Sequence, residues 1–206
     1  MGEPILEASP AQSREGQPLA KLAAAGKDWC PVPDTTIAIN RAPVLTLWAA
    51  VVAERLGFDW QEALTLGRAV AGLNAHSKAL SLGLVEPTPE AVREEREKAR
   101  RGAIKIDLLH RAVPAVRTPE GVRALDKDKP ANPASVERYL ESKFKDRYDE
   151  AREAMAKLAR SLPPKQLARV AYELYEEFRP GIPPGVSGWG AKGKLDLARI
   201  KKLARR

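Results

Sequence analysis

Residues 40–83 read NRAPVLTLWAAVVAERLGFDWQEALTLGRAVAGLNAHSKALSLG, and their pattern decides the fold class. Pro43 suits the first position of a helix, and residues 44–56 then run without a breaker. Gly57 supplies the left-handed conformation that stops a helix. Asp59 is placed to cap a second one, with Glu62 at the reciprocal capping-box position. That helix reaches Leu82 before Gly83, with Gly67 and Gly72 as points where it can bend. Its polar stripe is narrow (Gln61, Thr65, Arg68, Gly72), and the first helix is apolar almost all round. Helices with so little polar surface must be covered, by later elements or by a second copy of the chain, and the expectation here is a homodimer through this region.

Working outward, 206 residues suffice for one sizeable core with a helical appendage. Helix-forming residues dominate, so the fold class is mainly α, with only short strand-like stretches. The single cysteine, Cys30, excludes an internal disulfide framework and a thiolate-only zinc site. Glu54, Arg55 and Asp59 interrupt the most apolar part, which argues against a membrane span. The N-terminus lacks the order of a signal peptide, and a cytoplasmic setting is expected. The net charge is +8, and most of the excess falls in residues 181–206. There Lys192, Lys194, Arg199, Lys201, Lys202, Arg205 and Arg206 stand against Asp196 alone. Such a patch favours a polyanion, nucleic acid before an acidic membrane surface.

The chain divides into four stretches. Residues 1–35, without sustained period, read as a flexible N-terminal arm. Residues 36–126 form the helical core with a small hairpin. After the core pair, a helix over 89–101 is charged nearly all round, with Arg93, Arg96 and Arg100 on one stripe and Glu90, Glu94 and Glu97 beside it. Residues 103–109, 112–117 and 122–125 have the look of short strands, and Thr118-Pro119-Glu120-Gly121 suits a type I turn between the last two. Pro114 then belongs on a sheet edge. Residues 126–132 read as a linker. Residues 133–180 read as two amphipathic helices, the first capped by Asn132, joined at Pro163-Pro164 and packed as an antiparallel pair. Tyr139, Tyr148, Tyr172 and Tyr175 read as packing residues with exposed hydroxyls. Residues 181–206 are a Gly/Pro loop followed by a basic helix.

Catalysis finds little support. His76 and His110 lack metal-ligand spacing, and no serine sits in a nucleophile elbow, so neither an enzyme, a metal nor a cofactor is expected. Residues 188–195 (GWGAKGKL) have P-loop spacing but place Leu195 where a magnesium-binding Ser or Thr belongs, which rules out nucleotide hydrolysis. A glycine-rich turn at a helix N-terminus, with Lys192 and Lys194, still offers amides and charge to a phosphate of a nucleic-acid backbone; alternatively Trp189 pins the tail and the glycines only permit the turn.

Residues 53–57 (AERLG), followed by a new helix, resemble the first helix and turn of helix-turn-helix DNA-binding proteins. The order of two apolar helices, a helix with an arginine stripe, a strand and a hairpin is similar to a winged module. That resemblance implies a duplex DNA-binding protein, regulatory or architectural, with the hairpin as wing. The implied nucleic-acid contacts are Arg93, Arg96, Arg100, Arg117 and Arg123, together with Lys192, Lys194, Arg199, Lys201 and Lys202 of the tail. The alternatives are a protein-interaction or dimerisation module, and an enzyme whose site is assembled only in three dimensions.

Overall fold

The first helix, α1 (Arg41–Arg55), is the axis on which the other elements are laid. Every residue from Pro43 to Ala53 is buried, as an all-apolar surface requires. The cover comes from the chain itself: α2 (Trp60–Ser81), α4 (Pro133–Phe144), α5 (Tyr148–Arg160) and α6 (Pro164–Phe178) all pack on α1. The shortage of cover behind the expected homodimer therefore does not exist for α1. Trp48 is fully buried, donates its indole N–H to the Ala171 carbonyl at 2.7 Å and meets Phe178 edge-on at 5.3 Å.

The turn between α1 and α2 follows the sequence reading. Gly57 sits at φ +108°, Asp59 accepts from Glu62 N at 2.9 Å, and the Glu62 carboxylate accepts from Asp59 N at 3.1 Å. Gly67 is the point of closest crossing. A Cβ there would overlap the Thr46 carbonyl oxygen and lie 2.8 Å from Ala50 N, so only glycine lets the two backbones approach this far.

The computed structural model describes residues 35–99, 102–185 and 191–205. The arm (save Thr35), Arg100 and Trp189 lie outside them. The stretches 36–126, 133–180 and 181–206 belong to one unit, Asp34–Arg206. The described chain is mostly helical, with two small antiparallel sheets. After α2 comes α3 (Glu90–Ala99), then β2 (Ile104–Leu108), β3 (Arg111–Thr118), β4 (Gly121–Asp126) and β5 (Lys129–Pro130), in the order β2-β3-β4-β5. The β3–β4 ladder runs only from Ala115 to Thr118, so at Pro114 the strand is paired to β2 alone, a local edge.

Several elements differ from the sequence reading. Leu109-His110 and Lys127-Asp128 are two-residue loops with positive φ throughout, as type I′ turns require, yet neither contains the usual glycine or asparagine. The second of them turns the expected linker into a hairpin. The first helix of the expected pair is broken at Lys145 (φ +55°) by a 3-10 turn, Lys145–Arg147. On either side of the short Pro163-Pro164 turn, α5 and α6 each pack on α1. The tail is not a loop and helix alone. Gly193–Asp196 forms β6, antiparallel to β1 (Thr36–Ile39), before α7 (Leu197–Leu203) packs Leu197, Ile200 and Leu203 inward against α5 and β1.

Candidate functional site

The hairpin expected to act as a wing is stitched to the first turns of α2. Glu62 Oε1 accepts from Val122 N at 2.6 Å, while Thr65 Oγ1 accepts from Ala124 N at 3.1 Å and donates to the Glu62 carbonyl at 2.8 Å. This mounting decides the fate of Arg123. Its side chain is only 7% exposed and donates to the Val122 and Glu120 carbonyls at 3.2 and 3.1 Å. Arg123 therefore holds its own turn together and does not face solvent as the wing reading required. Arg117, beside the β3–β4 turn, is exposed.

The helix α3 leaves every described side chain exposed, Arg93 and Arg96 among them. Among its described side chains α3 has none that is buried. Its arginines alternate with Glu90, Glu94 and Glu95 along the same solvated cylinder.

The tail is more one-sided. Lys194 points outward from β6 while Gly193 and Leu195 point inward, and Lys192, Arg199, Lys202 and Arg205 are likewise exposed. The one acid among them in sequence, Asp196, caps α7, its carboxylate accepting from Ala198 N at 2.8 Å. Two amides at the start of α7 are thus engaged, Ala198 N by Asp196 and Leu197 N by the Thr35 carbonyl at 2.9 Å, while Gly188 and Gly190 of the expected phosphate cradle lie outside the described residues. Gly193 has a packing reason of its own, since a Cβ there would lie 2.7 Å from Gly181 O and 2.9 Å from the Pro180 side chain. Lys201 also differs from expectation. Its ammonium lies 3.0 Å from Glu150, which Arg147 approaches at 2.8 Å. The Lys201 hydrogen bond first, and Arg147 second, hold the Glu150 carboxyl below the usual carboxylate range.

Two tyrosines depart from the expected exposure. The Tyr148 hydroxyl is buried without a hydrogen-bond partner among the described residues, and burial pushes it up to about 12. The Tyr175 hydroxyl donates to the Arg41 carbonyl at 3.3 Å, and burial raises it further. His76 is exposed, and His110 lies 3.6 Å from Glu173 on the surface. Among the described residues no group of His, Cys, Asp and Glu is placed to hold a metal ion, and no helix is long and apolar enough to cross a membrane.

Sequence reading missed a cleft of about 800 Å³ between the start of α1, the second half of α2, the start of β3 and the end of α6. Among the described residues, Arg41, Lys78, Arg111 and Arg179 line it against one carboxylate, Glu176. Arg111 could have been noticed: the period of two places it on the same face of β3 as the buried Val113 and Ala115. A basic residue in register with an apolar strand face is held there for a reason. No family model, curated protein or solved structure matches the chain.

Proposed function

We propose that the chain binds duplex DNA through its phosphate backbone, with the outer surface of β6 and α7 as the contact. The carrying observation is the run of exposed cations Lys192, Lys194, Arg199, Lys202 and Arg205, whose only acidic neighbour in sequence, Asp196, is committed to a helix cap. Cations that no carboxylate offsets gain most from a polyanion, because each contacted phosphate releases condensed counterions. Residues 191–205 carry no aromatic ring, so they offer no stacking platform for single strands, and a duplex is the better fit. The reading is one of positioning without sequence readout. Arg123 is committed to its turn, and α3 carries acids beside its arginines, which a phosphate-lined groove would repel.

The test is a salt series on one short duplex with the wild type and the Lys192→Ala, Lys194→Ala, Arg199→Ala, Lys202→Ala quadruple variant. The slope of log affinity against log salt should become shallower by roughly 0.9 for each lost phosphate contact, with the thermal midpoint nearly unchanged. Identical slopes would remove the reading.

A further inference from the structure

We propose that the cleft between α1, α2 and α6 is a binding site for a small organic anion: a carboxylate or phosphate head on an apolar body. The site goes beyond backbone binding by the tail and does not depend on it.

The head would be met by Arg111. Its guanidinium is half-buried, and it donates to Asn74 Oδ1 at 3.1 Å and to Ser77 Oγ at 3.2 Å. Both acceptors are neutral. They fix the plane of the guanidinium without cancelling its charge, and no carboxylate pairs with it among the described residues. An arginine oriented by amide and hydroxyl oxygens keeps its remaining N–H groups for a planar oxyanion. Arg41 is tethered in the same manner, its Nε donating to the Pro180 carbonyl at 3.2 Å. The one carboxylate of the lining, Glu176, is taken up by Arg179 at 2.7 Å. Lys78 adds a further exposed charge at the rim. In a concave site the fields of such cations overlap, and an anion relieves their mutual repulsion.

The body would be met by Leu45, Ala71, Ala75 and the ring of Tyr172, which line the same space. At its mouth Leu82 and Leu84 are each 60% exposed, apolar surface that otherwise remains in water. A volume near 800 Å³, mainly apolar lining and a few fixed polar groups are the usual features of a small-molecule site.

The experiment titrates the full chain with three probes of one shape, naphthyl phosphate, naphthoate and the neutral naphthylmethanol, and follows the thermal midpoint and the amide NMR spectrum. The expected result is a dose-dependent rise in midpoint with one or both anions and little with the alcohol, with spectral changes at Asn74, Ser77 and Arg111. Whichever anion acts more strongly identifies the head group. Arg111→Met should weaken binding about tenfold or more, and Arg111→Lys, which keeps the charge but loses the fork, by less. Lys78→Met, at an exposed helix position, should weaken binding by a few-fold and serves if the Arg111 variants do not fold. An equal response to the alcohol, no response to either anion, or unchanged anion binding in Arg111→Met and Lys78→Met would each overturn the proposal.

Discussion

The cleft and the tail surface are both cationic, yet they are built differently. Two of the cleft cations are guanidiniums held by neutral oxygens beside an apolar floor, Arg111 by Asn74 and Ser77 and Arg41 by the Pro180 carbonyl. Tail cations stand out from a small sheet and a short helix with their side chains in water. Restricted, concave charge suits one small anion whose geometry it can match. Exposed charge spread along a surface suits a long polyanion, where the number of contacts matters more than their angles. Net charge alone does not separate these cases; the partners that hold each cation do.

The largest effect on this contrast is expected from Gly67→Ala. Thr46 and Ala50 face Gly67, and their neighbours Leu45 and Ala71 line the cleft, so the α1–α2 crossing sets its width. A methyl group there must push the backbones apart, which should destabilise the fold by about 3 kcal/mol, a fall of roughly 10 °C in midpoint, and weaken anion binding in the cleft. In the same helix Gly72→Ala meets nothing within 4 Å and should leave stability unchanged or raise it by about 0.5–1 kcal/mol. Equal losses in the two variants would mean that the crossing is not the constraint. A smaller effect is expected from Arg123→Ala, which removes the side chain holding the β3–β4 turn. It should cost about 1–2 kcal/mol in a denaturation experiment and leave DNA affinity unchanged. A loss of affinity without a loss of stability would restore the wing.

The smallest effect concerns Lys201. Because Glu150 is held below its ordinary value of 4.5, its ion pair stabilises the fold above that pH and the contribution is lost as pH falls through the lower folded value. Glu150→Gln should therefore flatten the acid limb of the melting curve below about pH 4.5. The pair is largely exposed, so the change should be roughly under 1 kcal/mol. An unaltered acid limb would free Lys201 to count with the other tail cations.

Much of the scaffold was legible because its signals are local. Gly57, Asp59 and Glu62 lie within six residues and mark the turn unambiguously, and the largely apolar α1 and largely charged α3 signal burial and exposure by composition alone. The β1–β6 pair was not legible, because each strand is four residues long and its partner lies at the other end of the unit. Nor were the two type I′ turns, since Leu109, His110, Lys127 and Asp128 reach positive φ through the register of the flanking strands. Arg111, Arg117 and Arg123 look alike in sequence. Only the placement of Asn74, Ser77 and the Glu120 carbonyl tells them apart, and those contacts cross from strand to helix or arise from one particular turn. The cleft was invisible for the same reason, as four separated elements supply its walls.

The most direct test of two separate anion sites is an amide NMR titration of the wild-type chain, first with a short duplex and then with naphthyl phosphate. The account predicts that the duplex perturbs amides within 192–205 and the small anion those of Asn74, Ser77 and Arg111, with neither ligand displacing the other. One shared set of perturbed amides, or displacement of one ligand by the other, would contradict it.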